Sequence, residues 1–205
     1  MSDPVELLWP TTLDDALRAR MHRMVHAVSE TGGAIGYLAP PSRAETDAWL
    51  DGVLADVRAG DAAFALATSK GESSADESGE VLGCALWRRR ATVASYRHTA
   101  ELQQVMTHPA ARGRGIGRLL VSALIDDVRT AGLELLLLGV RGNNHGAIAL
   151  YEDLGFREWG RLPSGIAVGD ERFDDVKMYL ELGRPAGVAV HGSAAVGAGA
   201  SSRRA

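Results

Sequence analysis

The sequence predicts an α+β fold in which about four helices flank one mixed, largely antiparallel sheet of about six to seven strands. Two observations predict it. In the first half, strand-like runs at 62–68 and 81–89 follow each other with a polar connection, as in an antiparallel hairpin. In the second half, a strand, a loop, a helix, a strand and a further helix follow in order over 99–155, which favours a mixed sheet.

Length and composition indicate a single globular domain with a low-complexity tail. The chain has 205 residues, of which 46% are apolar and 23% are charged, as is ordinary for a protein with a core. We expect one domain over residues 1–183 and a disordered tail without a catalytic role over the Gly/Ala/Ser-rich residues 184–205. The formal net charge of −4 argues against a general nucleic-acid binder, which is usually basic.

Several residue patterns exclude other classes of protein. Cys84 is the single cysteine of the chain, so an intramolecular disulfide and a thiolate metal cluster are excluded. The histidines show no metal-ligand spacing beyond His22 and His26, which lack the glutamate of the H-E-x-x-H pattern, and we expect no metal. We find no secretory signal and no apolar run long enough for a membrane helix. The expectation is a cytoplasmic protein that binds neither nucleic acid nor membrane.

In the first half of the chain, predicted strands and two amphipathic helices alternate with loops. Residues 5–9 predict a strand, and the apolar spacing that follows predicts a helix with Thr12 as its N-cap. A second helix is predicted to begin after Ser42 and to end at Gly60. The polar, acidic segment 69–80 predicts a mobile loop.

In the second half, predicted strands at 99–107 and 133–140 flank a predicted helix over 116–130. Strand 133–140 is almost continuously apolar, which predicts a central strand covered on both faces. The remaining predicted elements are a short helix that ends at Gly155 and strands at 156–160 and 174–182.

The loop that follows strand 99–107, "HPAARGRGIGRLL", is the most informative stretch. Its glycines alternate with Arg112, Arg114 and Ile116, although such a glycine density is unfavourable in a helix or a strand. At a junction of strand and helix, backbone N–H groups lack intrahelical partners and the helix dipole offers positive potential. Glycine lets an anion approach this backbone, so we interpret the loop as a phosphate-binding site assisted by its arginines.

The spacing within this loop excludes two nucleotide-binding motifs. A Walker A loop ends in Gly-Lys-Ser/Thr, whereas Gly117 precedes Arg118 and Leu119. A dinucleotide fingerprint that begins at Gly113 requires a third glycine where the chain has Arg118. The pattern is instead Arg-x-x-Gly-x-Gly from Arg112 to Gly117. An alternative interpretation, a glycine-rich turn packed tightly against a neighbouring strand, stays open on these residues alone.

A second motif, "NNHGAIALYEDLGF" at 143–156, follows the loop and has the form Asn-x-x-Ala-x-x-x-Tyr from Asn144 to Tyr151. Together the two motifs resemble the GNAT superfamily of acetyl-CoA-dependent N-acetyltransferases, over residues 5–182 and most strongly over 99–160. The stretches "GGAIGYL" and "ELQQVMTHPAARGRGIGRLL" are also similar to the tabtoxin-resistance type of acetyltransferase. The resemblance implies the GNAT fold and acetyl-CoA as the co-substrate.

In that family the strand before the loop diverges from its neighbour and its backbone pairs with the pantetheine arm of coenzyme A, while the loop holds the pyrophosphate. The resemblance implies the first role for Val105, Met106 and Thr107. It implies a contact with the pantetheine or thioester region for Asn144, whose alternative role as a helix N-cap is compatible with this contact. The residues to which the resemblance assigns the pyrophosphate are Arg112, Gly113, Arg114, Gly115, Ile116, Gly117 and Arg118.

The resemblance also implies two catalytic residues. Tyr151 occupies the position of a general acid that protonates the leaving thiolate, although an amphipathic helix alone predicts a core tyrosine there. Glu101 is the candidate base that takes the proton from the amine, and an ordinary exposed strand glutamate is the alternative. Strand alternation predicts that Glu101, Gln103 and Val105 share one face of the sheet, with Glu101 further along it toward the amine.

Two positions limit the transfer of family roles. Tabtoxin-type enzymes have a second acid near the end of the following strand, where this chain has Gly139, so the same substrate and a two-carboxylate mechanism are not implied. Cys84 lies between two small residues of a strand and is predicted to pack in the core rather than to relay the acetyl group.

These residues predict direct transfer of an acetyl group from acetyl-CoA to a primary amine of a small molecule, such as an amino-acid-like compound or an antibiotic. A protein or peptide acetyltransferase and a non-catalytic acyl-CoA-binding sensor are the alternatives. Acceptor-binding residues are expected in 28–42, 84–97 and 161–175, and part of the last segment is predicted to close over the acceptor site. Homodimers are common in the family, and the sequence leaves the oligomeric state open.

Overall fold

A computed structural model of the chain describes residues 4–32, 36, 39–70, 79–90 and 93–183. Its main elements, in chain order, are β1 (Val5–Leu8), α1 (Asp15–Glu30), α2 (Arg43–Ala59), β2 (Ala62–Ser69), β3 (Val81–Arg89), β4 (Thr99–Thr107), α3 (Ile116–Thr130), β5 (Leu135–Arg141), α4 (His145–Asp153), β6 (Arg157–Val168) and β7 (Glu171–Glu181). Most of the predicted mobile loop and the whole predicted tail lie outside the described residues. Within the described ranges, no helix is long and apolar enough to cross a membrane.

The described strands form one seven-stranded sheet in the order β1-β2-β3-β4-β5-β7-β6. Only the pair β4 and β5 is parallel, and the other neighbours are antiparallel. One face of the sheet is covered by α1 and α2, whose Met21 and Leu50 pack with Phe64 of β2. The other face is covered by α3 and α4, through residues such as Leu120 and Tyr151. The predicted α+β class with a mixed, largely antiparallel sheet is confirmed.

Local side-chain chemistry sets the ends of the first two helices. Ser42 caps α2 in a reciprocal capping box with Glu45, and Gly60 ends the helix with a φ of 77°. The N-cap of α1 is Asp14, whose carboxylate accepts the backbone N–H of Leu17 at 2.7 Å. The prediction of Thr12 as this cap is wrong, because the carboxylate two residues later stands directly before the first turn and reaches its third amide.

Strands β6 and β7 are longer than predicted and form a hairpin that turns at Gly169 and Asp170. Most of the segment 161–175 is therefore strand, because β6 extends to Val168 where the prediction ended at residue 160, and β7 begins at Glu171 where the prediction began at residue 174. As the outermost strand, β6 accommodates proline and glycine. Its register shifts between Leu162 and Ile166, in a stretch where φ of Ser164 is positive at 55°.

Candidate functional site

Strands β4 and β5 begin as neighbours and then separate. They pair over three consecutive residue pairs, the last of which is Glu101 with Leu137. Beyond it, β4 stays paired with β3 as far as Thr107, and β5 stays paired with β7 as far as Arg141. The gap between them belongs to a cavity of about 1100 Å³ that also reaches the loop before α3 and one side of α4.

A β-bulge in β4 lies beside this gap. Gln103 is opposite Leu86 and Met106 is opposite Cys84, so three steps along β4 face two steps along β3. Gln104 lies inside the bulge with a φ of 52°, a region that costs free energy for a residue other than glycine. The extra residue lets β4 bend away from a regular ladder at the point where the cavity opens.

The bulge also changes which side chains share a face of the sheet. Gln103 lies opposite Leu86, which belongs to the core cluster beneath α1 and α2, and Glu101 lies on the same side two residues earlier. Val105 instead packs against the cluster beneath α3. The prediction that Glu101, Gln103 and Val105 share one face is wrong, because the bulge inserts one residue between them and reverses the alternation.

The loop before α3 presents bare backbone at the edge of the cavity. Gly113 and Gly115 have φ values of 77° and 78°, and no described atom lies within 4 Å of where a Cβ would stand on either residue. These two glycines therefore serve backbone conformation rather than tight packing against a strand. No described side chain caps α3, and its first intrahelical bond runs from the amide of Leu119 to the carbonyl of Gly115 at 3.0 Å. The amide groups of the first helical turn consequently lack intrahelical partners.

The arginines of this loop have different surroundings. The Nη2 group of Arg112 donates to Oγ1 of Thr31 at 3.0 Å. Arg118 forms an ion pair with Asp153 at 2.6 Å, in which both side chains are substantially exposed, so an incoming anion has only a weak surface pair to displace. Arg114 is exposed and is not one of the residues that line the cavity.

Most of the predicted site residues meet at this one cavity. Like Arg114, Met106 does not line it; the side chain of Met106 is buried in the core and the residue lines a smaller adjoining cavity, while its predicted role concerns its backbone. Asn144 is the N-cap of α4, and its Oδ1 atom accepts the amide of Ala147 at 3.3 Å. The predicted residues that do line the cavity are Glu101, Val105, Thr107, Arg112, Gly113, Gly115, Ile116, Gly117, Arg118, Asn144 and Tyr151.

The two predicted catalytic side chains belong to opposite faces of the sheet. Tyr151 is 6% exposed and packs in the cluster beneath α3, with its ring 5.7 Å from that of Phe156. Burial raises the pKa of Tyr151 to about 12, so its phenol is protonated at neutral pH. Glu101 is half-buried, and its Oε2 atom accepts a hydrogen bond of 3.0 Å from Nε2 of Gln103. The gap between β4 and β5 is where a ligand would contact both.

One face of strand β5 is buried and the other is covered only in part, whereas the prediction was a strand covered on both faces. Leu136, Leu138 and Val140 are buried, but Gly139 between them is exposed toward the cavity. The apolar run could not reveal this, because the uncovered face results from the separation of β4. Arg141 and Lys177, which were not predicted, line the same region, together with Asp175 at the end of the predicted acceptor segment 161–175. The alternation of apolar residues in β7 put Lys177 on the face opposite the core but did not indicate a cavity.

Cys84 is fully buried in the cluster beneath α1 and α2. Burial raises the pKa of its thiol far above neutral pH, which disfavours the nucleophilic thiolate. Its predicted role in packing is therefore confirmed. Among the described residues, no three side chains of His, Cys, Asp or Glu converge as a metal site.

Comparison with known proteins gives concordant matches. A model of the acetyltransferase (GNAT) family matches residues 40–156. An L-methionine sulfoximine/L-methionine sulfone acetyltransferase of Salmonella typhimurium is 34% identical over 108 residues, which make up 52% of this chain and 62% of that protein. A ribosomal protein bS18-alanine N-acetyltransferase of the same organism is 48% identical over 59 residues, 29% of this chain and 40% of that protein. This chain therefore spans less than two thirds of either relative.

The fold has a solved counterpart. The structure of Salmonella typhimurium yncA with its cofactor acetyl-CoA has a TM-score of 0.72 and 24% identity, and the match covers 89% of this chain and 96% of that one. At this identity the likeness concerns the fold.

Proposed function

The chain belongs to the acetyltransferase (GNAT) family, and we propose that it transfers an acetyl group from acetyl-CoA directly to a primary amine of a small molecule. One observation carries the proposal. A single cavity joins the uncapped start of α3, the diverging half of β4, and the side chains of Glu101 and Tyr151. These parts supply an anion site, an unpaired strand edge, a base and a proton donor.

The residues present fit acetyl-CoA as the co-substrate. Free amide groups at the first turn of α3, the open backbone at Gly113 and Gly115, and the guanidinium of Arg112 suit the pyrophosphate. The backbone of Val105 to Thr107 faces the gap on the side where β5 has turned away, which suits an extended arm with amide groups. Asn144 borders the same cavity, and its role as N-cap leaves its amide nitrogen available.

Acetyl-CoA supplies a thioester carbonyl that an amine can attack without a covalent enzyme intermediate. Glu101 accepts the proton that the amine loses, directly or through water, as the new C–N bond forms. Backbone N–H groups at the gap stabilise the negative charge on the carbonyl oxygen. The C–S bond then breaks and the departing sulfur takes up a proton. Tyr151, whose pKa is raised to about 12, first donates a hydrogen bond to this sulfur and releases its proton only as negative charge accumulates there.

A small molecule is the favoured acceptor because the likeness to the methionine sulfone acetyltransferase extends over more of both chains than the likeness to the ribosomal enzyme. A peptide N-terminus is the second candidate, on the strength of the higher identity over the shorter stretch. A non-catalytic sensor of acyl-CoA shares the anion site but does not require Glu101 or Tyr151.

The test combines calorimetry with acetyl-CoA and a thiol-release assay on a panel of amino acids, other small amines and alanine-initiated peptides. We expect binding, turnover on small amines, and a kcat reduced about 100-fold in Glu101→Gln and Tyr151→Phe with the Kd of acetyl-CoA within about twofold of wild type. Glu6→Gln, at an exposed position, and Tyr179→Phe, at a position that does not line the cavity, serve as matched controls. Binding without turnover on any amine would instead identify a sensor, and turnover confined to peptides would identify the second candidate.

A further inference from the structure

The ammonium group of Lys177 lies over Gly139 at the acceptor side of the cavity. The two residues are direct partners in the ladder between β5 and β7. A Cβ on Gly139 would stand 2.9 Å from Nζ of Lys177 and 3.5 Å from Oδ1 of Asp175. The missing side chain at Gly139 therefore provides the space into which Lys177 extends.

Positive charge exceeds negative charge at this end of the cavity. Lys177 is held by Asp175, with 2.9 Å between Nζ and Oδ2, and Arg141 lies opposite Asp175 in the ladder. The Arg141 guanidinium stacks over the ring of Phe173 at 4.8 Å, and its Nε atom is buried without a hydrogen-bond partner among the described residues. Among the described residues, one carboxylate thus lies beside two cations, one of which has a buried donor without a partner there, and a ligand can offset the cost of such a donor by accepting a hydrogen bond from it.

The register of the strands places this cationic end close to Glu101. Glu101 pairs with Leu137, and Gly139 lies two residues further along β5. The spacing of this last pair and the rise of two residues along β5 put the Cα atoms of Glu101 and Gly139 at least roughly 8 Å apart, since the strands separate beyond the pair. Gly139 and Lys177 lie on the face opposite the buried Leu138, which is also the face of Glu101. This separation corresponds to the length of a small zwitterionic molecule.

We infer that Lys177 and Arg141 form a subsite for an anionic group of the acceptor, so that the enzyme selects amines that carry a carboxylate or a similar anion close to the amine. The inference rests on the proposed function, because Glu101 marks the amine end. Asp175 positions Lys177 and prevents two unpaired cations from facing each other. Gly139 contributes to specificity because it has no side chain and so leaves room for the Lys177 ammonium group.

The test compares acids with their neutral carboxamides. L-methionine sulfone and L-leucine are assayed by thiol release beside the two carboxamides, with wild type, Lys177→Met and Gly139→Ala. We expect wild type to prefer the acids, and Lys177→Met to lower kcat/KM for the acids by ten- to a hundredfold, mainly through KM. Gly139→Ala should raise the same KM, because its methyl group displaces the ammonium. Lys70→Met, which removes an equal charge from an exposed position, is the control.

A binding experiment keeps the inference separate from the proposed function. The N-acetylated forms of the same acids and carboxamides are titrated calorimetrically in the presence of coenzyme A, which requires no turnover and involves no amine ionisation. Tighter binding of the acids, lost in Lys177→Met but kept in Lys70→Met, supports the subsite even for a protein that transfers no acetyl group. Equal binding of acids and carboxamides, no binding of either, or an equal effect of Lys177→Met on both, overturns it.

Discussion

Arg112, in the loop before α3, donates a hydrogen bond of 3.0 Å to Oγ1 of Thr31, the C-cap residue of α1. The proposed anion site is thereby joined to the end of α1, which lies within the segment 28–42 where the sequence predicts acceptor-binding residues. This hydrogen bond either gives Arg112 a purely structural role or orients its guanidinium group to bind a phosphate.

Substitutions on both sides of this bond distinguish the two roles. Thr31→Val removes the acceptor oxygen at nearly constant volume, and we expect the Kd of acetyl-CoA to change less than about twofold. Arg112→Met should weaken acetyl-CoA binding about tenfold, because it removes a charge-assisted bond to phosphate. Arg129→Met, at an exposed ion pair near the end of α3, is the control for net charge. Equal weakening by Thr31→Val and Arg112→Met would mean that the bond itself is what matters.

Gly115 allows backbone strain and charge to be separated. It is the N-cap of α3 with a φ of 78°, a conformation that Asn and Asp tolerate better than other side chains. We expect Gly115→Asp to raise the Kd of acetyl-CoA at least 100-fold, because its carboxylate repels phosphate. Gly115→Asn should raise the same Kd by a factor about ten times smaller. The free energies of unfolding of the two variants should lie within about 1 kcal/mol of each other, because both place a side chain on the same left-handed backbone. Calorimetry and urea denaturation measure the two effects, and equal affinities of the two variants would contradict an anion site.

Burial of Tyr151 makes a prediction about stability at alkaline pH. Its pKa is raised to about 12 by burial, against about 10 in an unfolded chain. Below pH 10 both states hold the proton and its full contribution to stability is present. Above pH 10 the unfolded state loses the proton first, so the free energy of unfolding falls as pH rises toward 12, by about 3 kcal/mol in total.

Urea unfolding of wild type and Tyr151→Phe at pH 9 and pH 11 tests this effect. Wild type should lose about 1 kcal/mol more than the variant between these values. Other groups titrate equally in both proteins and cancel in the difference. Parallel pH profiles would mean that the phenol is better solvated than its burial indicates.

Cys84 should be inert in the native protein. Because its thiol is fully buried and its pKa is raised by burial, we expect a thiol reagent to label it only after denaturation. Cys84→Ala should keep kcat within about twofold and lower the free energy of unfolding by about 1 to 2 kcal/mol, because a sulfur-sized space is left in the core. Loss of turnover in a variant that remains folded would revive a covalent relay.

The parts of the fold that depend on local pattern were predictable. Both β3 and β4 have the predicted bounds, α2 begins after Ser42 and ends at Gly60, and the family prediction is confirmed. Both ends of α2 are set by neighbouring residues, a capping serine at its start and a glycine with positive φ at its end. The roles of Glu101, Tyr151 and Asn144 stay predictions.

The features that arise between strands were not predictable. No local pattern marks Gln104 as a bulge residue, because bulging is a property of the pair of strands. The uncovered face at Gly139 depends on the departure of β4, and the approach of Lys177 depends on a ladder partner almost 40 positions away in the chain. The long hairpin of β6 and β7 was hidden by a proline and glycines that only an edge strand tolerates.

The bulge at Gln104 reverses the alternation of side chains between the two faces of the sheet along β4. Before it, the even-numbered Leu102 faces α3, and after it the odd-numbered Val105 does. Suppose that residues of β4 are matched to a related protein by counting back from the glycine-arginine loop. If that protein lacks the bulge, residues before Gln104 are then matched to residues on the opposite face of its sheet. An alignment of this strand with such a protein needs a gap at the bulge, because without one Glu101, the proposed base, would be assigned to the wrong side of the sheet.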